Sequence, residues 1–311
     1  MSVLFTFPGQ GAQRPGMLHG LADHGETRRT LAEAAAIVDA DPLSLDTEAA
    51  LASSRAVQLC LLIAGVATAR ALIADAAAPQ MVAGLSIGAY PAAVIAGCLD
   101  FGDALRLVAK RGQLMEQAYP KGYGMAAIVG LERTQVEALL ARVHSPASPA
   151  YLANLNADRQ MVVAGADVAL ACVMQLAIEQ GASKAERLAV SVPSHCPLLD
   201  AAAREMAHAM SAVRIGRPAL IYLSSNTARA IFEPTRIADD LAGNMARQVF
   251  WHDTARQAWE RGARLAVEMP SGSVLTGLSE AVFAEGLAVS CENNSIDNLA
   301  TMISRQRASL A

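Results

Sequence analysis

Gln80-Met-Val-Ala-Gly-Leu-Ser-Ile-Gly-Ala-Tyr90 is the most informative segment of this 311-residue sequence, because it combines a structural pattern with a chemical one. Residues 80–85 form a short apolar run that predicts a buried parallel strand, and residues 89–96 have the alanine-rich composition of a helix. Between them, Gly84-Leu-Ser-Ile-Gly88 is a GxSxG pattern. In a strand–turn–helix context this pattern is typical of an elbow that exposes a nucleophilic serine. Ser86 is therefore the candidate nucleophile, although an ordinary turn with a capping serine would have the same sequence.

A serine hydroxyl is a weak nucleophile near neutral pH and needs a base within hydrogen-bonding distance. His195 is the favoured base, because the prolines of Val192-Pro-Ser-His-Cys-Pro197 stiffen the loop around it. His252, followed by Asp253, is the alternative, since it would suit the order of residues in an α/β-hydrolase. The segment around His252 reads more like the start of a helix.

The segment 123–192 has a different pattern from the rest of the chain. It predicts strands at 125–129, 150–155, 161–164 and 187–192, with helices at 132–143 and 168–180. The order β-α-β-β-α-β is that of a ferredoxin-like unit. We therefore predict a small domain at 123–192, inserted into an α/β domain made of residues 1–122 and 193–311.

The flanking regions predict the elements of an α/β core. These are strands at 3–7, 219–224 and 265–269, and helices at 53–77, 237–249, 254–261, 274–283 and the terminal 305–311. The helix at 53–77 contains the longest apolar run, Leu59 to Ala67, which is about half the length of a membrane span. We interpret it as a core helix of a soluble, cytoplasmic protein with no membrane partner, and the N-terminus does not resemble a signal peptide.

Composition argues against several classes of function and site. The chain is 53% hydrophobic and 17% charged, with a net charge of −4 and no basic run, which disfavours nucleic-acid binding. Five scattered cysteines without a CxxC pair do not predict a disulfide framework. Six histidines without metal-ligand spacing predict no metal site.

Six segments along the chain form one ordered pattern: Phe7-Pro-Gly-Gln-Gly-Ala-Gln13, Gly84-Leu-Ser-Ile-Gly-Ala-Tyr90, Arg111-Gly-Gln-Leu-Met115, Asn156 with Gln160-Met-Val-Val-Ala-Gly165, Val192-Pro-Ser-His-Cys196 and Val274-Leu-Thr-Gly-Leu278. In these segments the chain resembles the malonyl-CoA:acyl-carrier-protein transacylase family, and the resemblance covers nearly its whole length. The resemblance implies an α/β-hydrolase-like large domain with a ferredoxin-like small domain. It also implies transfer of malonyl from a coenzyme A thioester to a carrier thiol, with coenzyme A as part of a substrate and no bound cofactor.

The resemblance assigns roles residue by residue. Ser86 attacks the thioester, and the backbone N–H groups of Gln10 and Ile87 form the oxyanion hole. Arg111 pairs with the free malonyl carboxylate, which a guanidinium can bind with two parallel hydrogen bonds. Gln58 and Asn156 match polar positions near the pocket, so they are candidate substrate-binding residues.

The group that orients His195 is less well defined. Family members use a glutamine backbone carbonyl, which matches Gln248, but Trp251 then follows about four residues too early. Asp200, which is close to His195 in sequence, is an alternative.

Two residues within the elbow differ from the family pattern, and they bear on which carrier protein accepts the malonyl group. Fatty-acid-synthesis members typically have histidine and glutamate where this chain has Leu85 and Ala89. The variant looks like the epsilon-type subunit of malonate decarboxylase, which loads that complex's carrier subunit and could contact its other subunits. A fatty-acid-synthesis transacylase, a thioesterase or esterase using the same Ser–His pair, and a non-enzymatic scaffold are the alternatives.

The carrier is expected to be acidic by family analogy, which predicts a basic rim near the elbow. The candidate cations are Arg14, Lys110, Lys121 and Arg247.

Overall fold

The computed structural model describes residues 2–38, 40–119 and 121–308. The strands are β1 (Ser2–Phe7), β2 (Met81–Gly84), β3 (Tyr123–Val129), β4 (Ala150–Ala157), β5 (Gln160–Ala166), β6 (Lys184–Arg187), β7 (Ile221–Ser224), β8 (Arg229–Ile231), β9 (Val249–Phe250), β10 (Ala263–Glu268) and β11 (Leu287–Ser290). The α-helices are α1 (Gly25–Val38), α2 (Ser54–Ala74), α3 (Ala89–Ile95), α4 (Phe101–Ala118), α5 (Arg133–Val143), α6 (Asp167–Glu179), α7 (Asp200–Met210), α8 (Pro234–Gly243), α9 (Trp251–Glu260), α10 (Val274–Glu280) and α11 (Ile296–Ala308). Strands and helices alternate along most of the chain, as an α/β fold requires.

The large sheet has six strands in the order β11-β10-β1-β2-β7-β8, and only β8 runs antiparallel to its neighbour. Phe5 and Phe7 belong to one apolar cluster while Leu4 belongs to another, so both faces of β1 are covered. This explains why β1 is an unbroken apolar run instead of an alternating one. Because Phe7 pairs with Gly84, the turns that follow β1 and β2 lie side by side at the same edge of the sheet.

The core helix that was predicted at residues 53–77 is present as α2. It is long and apolar enough to cross a membrane, but 89% of its most apolar stretch is buried inside the protein. Ser53 caps its start by accepting a hydrogen bond from the Ala56 N–H. The helix packs against α1, α4 and the elbow, and so forms the centre of the main apolar cluster.

The small sheet has the order β6-β3-β5-β4-β9, and its first four strands are antiparallel. Helices α5 and α6 cover it with an apolar cluster of their own. The β-α-β-β-α-β order with this strand arrangement confirms the ferredoxin-like unit. The boundaries at 122/123 and 192/193 stay a prediction. The sequence did not predict β9, which comes from the large domain and pairs in parallel with β4.

Two predicted elements are wrong. The strand expected at 187–192 is instead β6, which ends at Arg187. Leu188 and Val190 are apolar because they pack beside Met125 at a cavity, not because they alternate in a sheet. The helix expected at 237–249 ends at Gly243 as α8, and a 3₁₀ turn at Asn244–Ala246 follows. The predicted terminal helix is present as α11, but residues 309–311 lie outside the described residues.

Candidate active site

Ser86 occupies a sharp turn between β2 and α3. It starts a 3₁₀ turn, Ser86–Gly88, and has a left-handed backbone with φ of 56°. A non-glycine residue in this region is strained by about 1–3 kcal/mol. The flanking glycines permit the turn: a Cβ on Gly84 would collide with the Gly88 backbone, and a Cβ on Gly88 would collide with the Phe7 carbonyl. The GxSxG motif therefore forms a strained elbow and not an ordinary turn with a capping serine.

His195 pairs with Ser86, as predicted for the base. Its Nε2 lies 2.8 Å from Ser86 Oγ. Its Nδ1 lies 3.0 Å from the Asn244 carbonyl oxygen and 3.1 Å from that of Arg247. Carbonyls only accept hydrogen bonds, so we assign the ring proton to Nδ1. Nε2 is then free to accept the hydrogen bond that the Ser86 hydroxyl donates.

The surroundings of His195 keep its ring neutral. Burial, together with the nearby Arg111 cation, lowers the pKa of His195 to about 4, even though the two backbone carbonyls favour protonation. A neutral imidazole at pH 7 can take a proton, whereas an imidazolium cannot. His195 is 3% exposed and Ser86 8% exposed, so the pair is largely buried at the wall of a cavity.

The assignment of Gln248 as the group that orients His195 is wrong. The Gln248 carbonyl accepts a hydrogen bond from Asn226, and its side chain bonds elsewhere. The 3₁₀ turn at Asn244–Ala246 directs the carbonyls of Asn244 and Arg247 toward the imidazole instead. Sequence reasoning missed both residues. The spacing to Trp251 could have identified one of them. Trp251 comes about four residues too early when Gln248 is aligned with the family's glutamine, and an alignment shifted by four residues places Asn244 at that position.

The alternative residues lie elsewhere. His252 is on α9, where its Nε2 lies 3.1 Å from Asp158 Oδ1. Asp200 starts α7 and is not among the acceptors of His195 Nδ1. Neither residue lines the cavity that contains Ser86.

Arg111 lies directly behind the nucleophile and is 1% exposed. Its Nη2 donates to Ser86 Oγ at 3.2 Å and to Asn244 Oδ1 at 3.0 Å, while Nη1 donates to Gln58 Oε1 at 2.7 Å. Its Nε is buried without a partner. Burial lowers the pKa of Arg111 to about 10, so the guanidinium remains charged at neutral pH.

The two other predicted binding residues differ in placement. Gln58 is fully buried, and its amide supports Arg111 and contacts the Met115 sulfur at 3.3 Å. It does not line the cavity, so its prediction as a substrate-binding residue is corrected to a support for Arg111. Asn156 does line the cavity, as does Asn154, and the Oδ1 atoms of both are buried without partners.

A cavity of about 310 Å³ lies between the elbow and the small sheet. Its walls combine apolar side chains with amide and hydroxyl groups, from Pro8, Gly9, Gln10, Gly11, Ala12, Leu85, Ser86, Met115, Met125, Ala127, Asn154, Asn156, Gln160, Val162, Leu188, Ala189, Val190, Ser194, His195, Val274 and Leu275. No Asp, Glu, Lys or Arg belongs to this lining within the described part of the chain. The cavity therefore suits an uncharged, flexible group that reaches Ser86.

The two predicted oxyanion-hole residues flank the nucleophile. Ile87 follows Ser86 in the 3₁₀ turn, and Gln10 lines the cavity from the turn after β1. Gly9 permits this approach, because a Cβ there would lie 2.6 Å from Leu85 Cδ2 and 3.5 Å from Ser86 Cβ. The Gln10 side chain donates to Ser54 Oγ at 3.2 Å, which anchors the turn to α2. Their backbone role stays a prediction.

Two of the four cations that were predicted to form a basic rim are engaged in ion pairs. Arg14 is paired with Glu292 and Arg247 with Asp239, both at 2.8 Å. Lys110 lies in a separate groove between α1 and α4, and Lys121 is exposed. Across residues 2–38, 40–119 and 121–308, no cluster of three or more metal-ligating side chains is present.

A serine on a strained elbow, paired with a neutral histidine, is the arrangement of enzymes that work through an acyl-serine intermediate. This chain belongs to the acyl transferase domain family, which it matches over residues 4–306. It is 35% identical to the malonyl CoA-acyl carrier protein transacylase of Haemophilus influenzae over 294 residues, covering 92% of this chain and 93% of that protein.

Solved structures show the same fold. The malonyl CoA-acyl carrier protein transacylase of Coxiella burnetii superposes with a TM-score of 0.93 at 31% identity, over 98% of both chains. A malonyl-transacylase solved in complex with its type II PKS acyl-carrier protein superposes with a TM-score of 0.91 at 31% identity, over 98% of this chain and all of that one. The predicted combination of a large α/β domain and a ferredoxin-like small domain is confirmed.

Proposed function

We propose that this protein transfers a malonyl group from malonyl-CoA to the thiol of an acyl carrier protein through an ester on Ser86. The observation that carries the proposal is the position of Ser86 Oγ, 2.8 Å from His195 Nε2 and 3.2 Å from Arg111 Nη2. His195 can accept the proton of the Ser86 hydroxyl, and the Arg111 cation can bind the free carboxylate of the acyl group. The Haemophilus influenzae protein named for this reaction, at 35% identity, supports the same assignment.

In the first half-reaction, Ser86 Oγ attacks the thioester carbonyl and its proton moves to His195 Nε2. The tetrahedral oxyanion is stabilised by the N–H groups of Gln10 and Ile87, and each such donor is typically worth about 10²–10³ in rate. The carbon–sulfur bond then breaks. His195 returns the proton to the departing coenzyme A sulfur, leaving the malonyl ester on Ser86.

Arg111 selects the acyl group. The Nε and Nη2 of a guanidinium lie along one edge, and here Nε has no partner while Nη2 points at Ser86. That edge can receive the malonyl carboxylate with two parallel hydrogen bonds. Gln58 accepts from Nη1 and Asn244 from the second N–H of Nη2, so the guanidinium is oriented before substrate binds.

The second half-reaction uses the same groups in reverse. The carrier thiol gives its proton to His195 Nε2, its sulfur attacks the ester carbonyl, and Ser86 Oγ leaves with that proton. An uncharged cavity with apolar walls and unpaired amide oxygens on Asn154 and Asn156 fits the amide-containing arm that carries such a thiol.

Single-turnover acylation with malonyl-CoA tests the assignment of the base. Replacing His195→Ala should slow acylation by about 10²-fold or more, the usual loss for a general base. His252→Ala is the matched control, because His252 pairs with Asp158 outside the cavity, and it should acylate normally. A crippled His252→Ala beside a normal His195→Ala would reverse the assignment.

For the acceptor, we propose the carrier subunit of malonate decarboxylase in place of the fatty-acid carrier. Support comes from Leu85, which lines the cavity, and from Ala89, which is buried at the start of α3. Fatty-acid-synthesis members have titratable side chains, histidine and glutamate, at these two positions. Competing the two carriers at equal concentration against malonyl-loaded enzyme tests this choice. Faster loading of the decarboxylase carrier is expected, and preference for the fatty-acid carrier would reject the acceptor while leaving the chemistry intact.

A further inference from the structure

Gln248 connects the small sheet to the large domain. Its Nε2 donates to the Leu152 carbonyl oxygen at 2.9 Å. Leu152 is on β4, where the pairing with β5 shifts register between Leu152 and Asn154. The next two residues after Gln248 form β9, which pairs with β4 through Val249 and Phe250 only. The Gln248 side chain therefore lengthens a very short contact between the two parts.

The same residue shares a peptide unit with one of the His195 acceptors. The Arg247 carbonyl and the Gln248 N–H belong to a single planar peptide, so they turn together. The Arg247 carbonyl oxygen lies 3.1 Å from His195 Nδ1. Asn226 Nδ2 donates both to that oxygen, at 3.1 Å, and to the Gln248 carbonyl oxygen, at 3.0 Å. Asn226 holds this backbone from the large domain, and Gln248 holds it from β4.

We propose that Gln248 is a positioning residue that fixes the Arg247 carbonyl against His195 Nδ1 by tying its peptide to strand β4. Strand β4 also carries Asn154 and Asn156, which line the cavity opposite the histidine. Any displacement of the small sheet is therefore transmitted to the group that orients the base. The kinetic consequence rests on the proposed function, but the effect on His195 does not.

The first test is an NMR measurement on the free enzyme. The Nδ1 proton of His195, held by the Asn244 and Arg247 carbonyls, should give a downfield proton resonance that is missing in His195→Gln. Gln248→Met keeps the length of the side chain and removes the donor, so this resonance should shift upfield or broaden. Gln257→Met is the matched control, because the Gln257 amide donates to Glu260 on the exposed face of α9. Its spectrum should match that of the wild type.

The second test is kinetic. Gln248→Met should lower the acylation rate constant about fivefold, the effect of losing one ordinary hydrogen bond, while KM for malonyl-CoA changes by less than about twofold. Gln248→Glu also keeps the length and lacks the donor, so it should give the same result if Gln248→Met proves unstable by thermal unfolding.

The outcomes separate the two proposals. An unchanged His195 resonance and acylation rate in either folded Gln248 variant would overturn the positioning role. Wild-type enzyme that malonyl-CoA fails to acylate would reject the proposed function, and the NMR result would still decide the role of Gln248.

Discussion

At the scale of single residues, the base is unusual because its surroundings oppose protonation. Burial and the Arg111 cation lower the pKa of His195 from 6.5 to about 4. Neutral His195 is the form that accepts the Ser86 proton, and this form is lost as the pH falls through the lowered pKa. Burial, with a smaller contribution from the Arg111 cation, therefore extends the active range toward acid.

The pH profile of single-turnover acylation checks this value. We expect kcat/KM for malonyl-CoA to stay constant from about pH 8 to about pH 5 and to fall near pH 4, where His195 becomes protonated in the free enzyme. With a histidine of ordinary pKa, kcat/KM would instead fall near pH 6.5. A fall in kcat/KM at that higher pH, in a protein that remains folded, would contradict the described environment of His195.

Arg111 should determine acyl specificity. Removing one partner of a buried ion pair costs about 3–5 kcal/mol, so Arg111→Ala should lower malonyl acylation by at least about 10²-fold. Acetyl-CoA lacks the carboxylate and should lose much less. The measurement is the ratio of kcat/KM values for the two thioesters. Equal losses would show that Arg111 only supports Ser86, Gln58 and Asn244.

At the scale of elements, the elbow depends on close backbone contacts at its two glycines. A Cβ on Gly84 would collide with the backbone of Gly88. Gly84→Ala should therefore lower the free energy of unfolding by at least about 2 kcal/mol, because the obstacle is backbone and cannot rotate away. Urea unfolding measures the change.

Gly277→Ala is the control for that substitution. Gly277 lies within α10, and nothing is within 4 Å of a Cβ placed there. Alanine should raise the free energy of unfolding there by about 0.5–1 kcal/mol. Equal destabilisation at both glycines would contradict the close approach of β2 and the turn.

Much of the element order could be predicted from the sequence, because buried parallel strands and core helices are apolar runs of different length. The same signal misled at residues 188–190, where apolar side chains line a cavity. It also missed β9, which has two residues and depends on a partner far away in the sequence. Backbone carbonyls were the hardest to predict, since any residue can supply one: only the spacing to Trp251 pointed to Asn244, and nothing in the sequence pointed to Arg247.

At the scale of the whole molecule, the site lies where two sheets meet. The large sheet supplies the elbow and the turn that carries Gln10, while the small sheet closes the cavity with Asn154 and Asn156. Only Val249 and Phe250 join the two sheets by strand pairing within the described residues. The acyl group is thus held at a junction, with buried Ser86, His195 and Arg111 on the side of the large domain.

The most direct test of acyl transfer through Ser86 is intact-mass measurement of the protein after mixing with malonyl-CoA, followed by peptide mapping. We expect one malonyl adduct on the peptide that contains Ser86, removed when carrier thiol is added. Ser86→Ala should carry no adduct and transfer nothing. An adduct that persists on Ser86→Ala, or one that maps to another residue of the wild-type protein, would contradict the account.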